Sequence, residues 1–265
     1  MKYEAKADNG SGVGDTSKTT GFNTWPADTY PISASRKLVS TVAGYPVTNI
    51  SQATAITAAL NYTTSCPSGC HLITKAEYLT IAQNVLNVSS NWYGGVVGTN
   101  YIYSGHNDNS PANALEASTD DNNGYFGTGN SSSSGASQRR TLNLSNGEII
   151  WDIVGDVREW TTGTITGNQP GILGAGFAFR DYTTLTTHGT LSPDPFPATT
   201  GIFGANTWTL SKGIGQIDSS ADDTSLRGFV RGSCWLSGNS YGILNLLLNY
   251  SPSDKSNQFG LRVTK

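Results

Sequence analysis

The sequence predicts an α+β fold, with two helices early in the chain and an antiparallel sheet late, joined by long loops. Two capped segments with a helical apolar period lie in the first third, and short strand-like runs separated by turns follow from Glu148 onward. Composition agrees, because 31 glycines together with abundant Ser, Thr and Asn favour turns over long helices. Six tryptophans and 10% aromatic residues argue against a disordered chain. No fixed-period repeat or linker divides the 265 residues, so residues 1–265 read as one domain, large enough to bury a core without disulfide staples.

The first helix follows Asn49-Ile50-Ser51, with Ser51 as N-cap and Ala53, Ile56, Ala59 and Leu60 on the expected apolar face. The second is better marked. Thr74-Lys75-Ala76-Glu77 fits a capping box, in which the Thr hydroxyl and the Glu carboxylate each satisfy a free backbone N–H. Leu79, Ala82, Val85 and Leu86 keep the 3.6-residue period behind it, and the helix is expected to end near Asn87. Ser104 to Gln138 reads as a long loop. Within it, Asp120-Asp121-Asn122-Asn123 offers oxygen ligands but lacks the spacing and terminal Glu of an EF-hand, which favours a solvated loop over calcium. Strands begin at Glu148-Ile149-Ile150-Trp151-Asp152-Ile153. Trp151 and Trp160 bracket a turn at Gly155 and are expected to anchor the core. Asp152, Asp156 and Glu159 could serve as catalytic carboxylates, but holding turns through backbone hydrogen bonds is the preferred reading. Arg231 and Arg262 are expected to make structural ion pairs or backbone bonds.

A net charge of −3 with only 13% charged residues gives no reason to expect nucleic acid as partner. No apolar run approaches the roughly 20 residues that span a bilayer, so no membrane insertion is expected. Met1 to Lys6 has no apolar signal-peptide core. Cys66 and Cys70 lie in a turn-rich segment and either close a small disulfide loop or remain free thiols. Zinc at these cysteines and His71 is disfavoured, because no second Cys/His pair is near in sequence and His106 and His188 are isolated.

The segment Glu148-Ile149-Ile150-Trp151-Asp152-Ile153-Val154-Gly155-Asp156-Val157-Arg158-Glu159-Trp160 resembles the G-L-Y-D-M-x-G-N-V-W-E-W block of formylglycine-generating-enzyme-type domains. Pro46-Val47-Thr48-Asn49-Ile50-Ser51 resembles their P-V-x-x-V-S/T helix start, and His71-Leu72-Ile73-Thr74-Lys75-Ala76-Glu77-Tyr78 resembles R-L-P-T-E-A-E-W. Arg231-Gly232-Ser233-Cys234-Trp235 is similar to R-G-G-S-W, and Phe259-Gly260-Leu261-Arg262 to x-G-F-R. Each block alone is weak, but the set keeps the family order across nearly the whole chain. The resemblance implies a C-type-lectin-like fold of the formylglycine-generating-enzyme type.

The oxidase of that family binds copper through two cysteines just after the R-G-G-S block, and soft thiolates suit Cu(I). Carried over, those positions fall on Ser237 and Gly242, and neither is a thiol. No catalytic residue, metal or cofactor is therefore expected. The calcium-and-sugar motifs of C-type lectins are also missing, because Gln169-Pro170-Gly171 puts glycine where a carboxylate is needed.

The stretch from Trp235 to Asp254 resembles the variable region of diversity-generating retroelement variable proteins, whose pattern is G-G-S-W-N-N-G-S-x-A-G-x-F-x-L-N-L-N-N-A-P-S-N. Where the pattern has Asn, this chain has Leu236, Ser237, Leu247, Asn249, Tyr250 and Asp254, and Leu, Ser, Tyr and Asp are reachable from AAC by changing adenines. Gly238, Gly242, Leu246, Leu248, Pro252, Gly260 and Arg262 keep the constant positions. Alternation through Leu244–Tyr250 is expected to turn Leu244, Leu246 and Leu248 to the core and Asn245, Leu247 and Asn249 to a display face. The resemblance implies a ligand-binding, receptor- or adhesin-like protein with a binding region at about residues 235–258. Its site is expected to comprise Leu236, Ser237, Asn239, Ser240, Tyr241, Asn245, Leu247, Asn249, Tyr250 and Asp254. The implied partner is a protein or surface glycan on a host or neighbouring cell, and the implied location is a virion surface, cell surface or extracellular space. A constant structural or adhesion module of the same fold is the alternative, with an oxidase behind it.

Overall fold

The computed structural model describes residues 1–8, 10–12, 14, 37–41, 46–60, 62, 68–105, 139–189, 208–234, 237 and 242–265. Residues 106–138 of the long loop expected from Ser104 to Gln138, with its Asp120–Asn123 cluster, lie outside them, as does Cys66. The fold is α+β, with few helices and several sheets.

Helix α1 (Gln52–Leu60) starts where Ser51 caps it, the Ser51 Oγ accepting from the Thr54 amide. Its buried face is Gln52, Ala55, Ala58 and Ala59, one step round from the face expected. Ile56 and Leu60 are instead 38% and 62% exposed. The reason is tertiary. Buried Gln52 donates Nε2 hydrogen bonds to the carbonyls of Thr161 and Gly163 at 2.6 and 2.8 Å, which sets the helix's rotation. Helix α2 (Lys75–Leu86) has the full capping box, with Tyr78, Leu79, Ala82, Val85 and Leu86 buried and Asn87 as C-cap.

The main sheet has six strands in the order β11-β6-β9-β10-β8-β7. Their ranges are β6 Arg158–Thr166, β7 Ala178–Arg180, β8 Ile217–Ser219, β9 Leu226–Arg231, β10 Leu246–Leu247 and β11 Phe259–Leu261. It is a mixed sheet rather than an antiparallel one, because β11 runs parallel to β6 and β10 parallel to β8. Strand formation is also not confined to the late chain. The early strand β3 (His71–Leu72) pairs with the final strand β12 (Val263–Thr264), and the Ala5 amide donates to the Leu261 carbonyl. Four further strands, β1 (Lys6–Ala7) with β2 (Leu38–Val39) and β4 (Thr141–Asn143) with β5 (Ile149–Trp151), form two two-stranded ladders.

Both faces of the main sheet are covered. On one, α2 packs with Trp92, Ile217, Phe229, Leu246 and Leu248. On the other, α1 packs with Trp160, Val230, Leu247, Phe259 and Leu261. Trp160 fits because Gly228 sits beneath it, where a Cβ would come within 2.7 Å of the indole. Trp160 and Trp151 are both buried, as core anchors should be. Cys70 is disulfide-bonded and Cys234 is a free, buried thiol.

His71 fastens β3, α2 and β12 at the surface. Its Nε2 lies 3.0 Å from both Glu77 carboxylate oxygens and 3.2 Å from the Thr264 hydroxyl, and its Nδ1 is 3.0 Å from the Gly69 carbonyl. The Gly69 carbonyl first, and then Glu77, raise the His71 pKa above its ordinary 6.5 against partial desolvation. Burial works to raise the Glu77 carboxyl, but hydrogen bonds from Thr74, His71 and Thr264 outweigh it and hold it below 4.5. The His71 contribution is therefore fully present below pH 6.5 and lost as pH rises through its raised value; that of Glu77 is present above pH 4.5 and lost as pH falls through its lowered value. In urea titrations, His71→Ala should lower the unfolding midpoint at pH 5.5 and do so far less at pH 8.5. Equal losses at both would mean that the imidazolium contributes nothing.

Candidate ligand-binding site

The C-terminal stretch begins at the end of β9. After Arg231, Gly232 takes φ 75°, and a Cβ there would stand 3.0 Å from the Ile153 carbonyl, so the turn requires glycine. Ser237 is buried in this turn. Its hydroxyl accepts from the Cys234 amide at 3.0 Å and from Arg158 Nη2 at 3.3 Å, and lies 3.3 Å from Cys234 Sγ. Gln258 Oε1 completes the cluster, 2.6 Å from Arg158 Nη1 and 3.2 Å from Cys234 Sγ. Ser237 thus holds the turn together rather than facing solvent.

Gly242 is the tightest position in the stretch. A Cβ there would lie 1.7 Å from the Gly213 carbonyl oxygen. The position that carries the second copper thiol in the resembling oxidase admits no side chain here. The two-thiol site is unsupported at both of its positions.

The alternation expected in β10 is present, since Leu246 and Leu248 enter one core and Leu247 the other. The expected display face is corrected at two residues. Leu247 is 1% exposed, between Val230 of β9 and Asp218 of β8, and Asn245 is fully buried. The physical reason is the sheet's second cover: residues alternate between two faces, and α1 closes the face on which Leu247 lies. Asn245 is fixed by the Gln216 amide, which donates to its Oδ1 at 2.7 Å. Asn249, Tyr250 and Asp254 are half-buried. The Tyr250 ring meets Phe259 edge-on at 4.5 Å, and the Asp254 carboxylate accepts from the Ser251 amide at 2.7 Å. Leu236, Asn239, Ser240 and Tyr241, with Trp235 and Gly238, lie outside the described residues.

Around Leu247 several buried polar atoms make no hydrogen bond: Asn245 Nδ2, Asn249 Oδ1, Asp218 Oδ1 and, near Ser237, Arg158 Nε. Burial pushes the Asp218 carboxyl up to about 6, with Arg158 and Arg180 opposing it. Neither Asp218 nor Arg158 is picked out by sequence reasoning. The available signal was an acidic residue inside the strand-like run Ile217-Asp218-Ser219.

A second group of titratable residues lies at the start of the chain. Glu4, Asp152 and Asp156 are buried with carboxylate oxygens within 4.8 Å of one another. Asp152 pairs with Arg140, and Lys6 stands near enough that Asp152 and Glu4 partly offset its burial, leaving its pKa lowered to about 8. Burial, and then Asp156 and Asp152, push the Glu4 carboxyl well above its usual range. Asp152 and Asp156 both take positive φ, at 51° and 58°, in the turn between the two tryptophans. Glu159 pairs with Arg262. Asp152 and Glu159 are held by arginine side chains, not by the backbone amides expected. Gln169 is buried and bonds Asp223 and the Ser220 amide, and a Cβ on Gly171 would meet the Ala221 amide at 2.5 Å.

No protein-family model matches the sequence, and no curated protein matches it. Among the described residues no helix is long and apolar enough to cross a membrane.

Leu247→Ala should cost about 2–5 kcal/mol, like Leu246→Ala and Leu248→Ala, because each leaves a cavity. Denaturant midpoints check this, and a loss no larger than the ~0.5 kcal/mol of surface sites would reopen the display face. Gly242→Ala should unfold the protein or lower its midpoint severely, whereas Gly176→Ala, with no atom near its Cβ, should not. Asp218→Asn should stabilise the protein at pH 7–8. The unfolded carboxyl ionises near 3.8 and the folded one near 6, so ionising it in the folded state costs stability as pH rises. The gain should vanish below pH 3.8, where both states are protonated.

Proposed function

We propose that this protein is a receptor- or adhesin-like ligand-binding protein. Its binding region lies at about residues 235–258, diversified by a retroelement on a C-type-lectin-like scaffold of the formylglycine-generating-enzyme type. It acts at a virion or cell surface, on a protein or glycan of a host or neighbouring cell, and not as an enzyme. The observation that carries this reading is the contrast between constant and changed positions in the variable-region pattern. Gly242, Leu246, Leu248, Gly260 and Arg262 keep the pattern and are all buried; at Gly242 and Gly260 an added Cβ would strike backbone within 3 Å. Of the changeable positions, Asn249, Tyr250 and Asp254 are only half-buried, whereas Ser237 and Leu247 are buried, and the constant Pro252 is half-buried. Tyr250 supplies the rigid amphipathic contact that binding loops use. The side-chain-free position at Gly242 supports the exclusion of the copper oxidase.

The burial of Leu247 and Asn245 favours a second reading, a constant structural or adhesion module of the same fold. One observation separates the two. The gene's locus should carry a near-copy of the 3′ coding stretch that differs at adenines, beside a reverse transcriptase gene. Close strains should then differ at codons 236, 237, 249, 250 and 254. A locus without the copy, with these codons invariant between strains, would leave the constant module standing and end the retroelement reading.

A further inference from the structure

Arg231 is the one fully buried arginine among the described residues without a carboxylate partner, for Arg262 has Glu159. It is 0% exposed, donates Nη1 to the Leu244 carbonyl at 3.2 Å, and lies 5.8 Å from the Tyr78 ring centroid. Its Nε and Nη2 make no hydrogen bond. These two N–H groups form the parallel edge of the guanidinium, the edge that grips anions side-on. We propose that the interior beside Arg231 binds a small inorganic anion of the chloride class on this Nε/Nη2 edge.

The charge count supports an anion over water alone. A buried unpaired charge costs several kcal/mol, and a guanidinium does not escape by losing its proton. Burial lowers the Arg231 pKa only to about 10, so the charge persists at neutral pH. Tyr78 supplies no compensation, because burial pushes its phenol up and keeps it neutral, its hydroxyl donating to the Ile153 carbonyl. Glu159 is the cross-strand neighbour of Arg231, but its Oε1 is committed to Arg262 at 2.8–2.9 Å, and its buried Oε2 makes no hydrogen bond to Arg231. Arg231 therefore keeps a buried positive charge that no carboxylate hydrogen-bonds, and a single monovalent anion on its free edge neutralises it. The Arg231 edge supplies the two donors of the site, and Ser233 Oγ, two residues on in sequence, is likewise buried without a hydrogen bond.

The test is to crystallise the intact chain with bromide in place of chloride and measure anomalous diffraction at the bromine edge. The expected result is a peak in contact with both Nε and Nη2 of Arg231. In solution at constant ionic strength, replacing gluconate by chloride should raise the thermal midpoint by about 3 °C per tenfold in chloride above half-saturation. Arg231→Met should lose that response, and if it does not fold the wild-type crystal decides alone. Bromine peaks confined to the surface (an adventitious ion only), or equal midpoints in chloride and gluconate, would overturn the proposal.

Discussion

The Arg262–Glu159 ion pair is the contact on which the rest of the structure closes. Both side chains are buried, and the guanidinium reaches Glu159 Oε1 through Nε at 2.9 Å. The same group donates to the carbonyls of Met1, Lys2 and Trp151. One side chain from the last strands thereby fixes the start of the chain, the turn between the tryptophans and the central strand β6. Burial pushes the Glu159 carboxyl up, and Arg262 opposes that shift. A buried pair holds best when its remaining donors and lone pairs are satisfied; the three carbonyls meet that condition for the guanidinium, while Glu159 Oε2 stays buried without a hydrogen bond. Removing either partner would strand the other in the interior, which is why Phe259-Gly260-Leu261-Arg262 and Arg158-Glu159-Trp160 belong to one device.

The second constraint is that the central sheet is covered twice. Alternation along β10 sends Leu246 and Leu248 toward α2 and Leu247 toward the α1 side. A strand with two dry faces cannot present every second residue to a ligand. Exposure is thus displaced from the strand to its margins, where Asn249, Tyr250 and Asp254 are half-buried. The polar atoms around Leu247 mark where this arrangement is least settled. Asp218 and Asn249 each keep a buried oxygen without a hydrogen bond beside an apolar contact. Such groups cost stability unless a partner meets them, and they lie beside the margin proposed for binding.

Local chemistry was legible wherever it was self-contained. The capping box and apolar period of α2 need only residues within one helix, so Thr74, Glu77 and the Leu79–Leu86 face read directly from the sequence. The two tryptophans as core anchors and the start of α1 at Ser51 followed in the same way. The α+β class followed from where those signals sit along the chain.

What only the tertiary structure decided is everything that depends on a distant neighbour. The rotation of α1 is set by Gln52 reaching carbonyls more than 100 residues away, which no periodicity reveals when Ile56 and Leu60 point the other way. The mixed sheet order arises because β11 joins β6 and β10 joins β8, pairings between strands far apart in sequence. The gathering of Glu4 with Asp152 and Asp156 has the same origin. Leu247 carries the lesson furthest. Its sequence correctly separates two faces of a strand, because side-chain direction is a local property with a period of two. Whether the second face meets solvent or a helix is a property of packing, and α1 decides it.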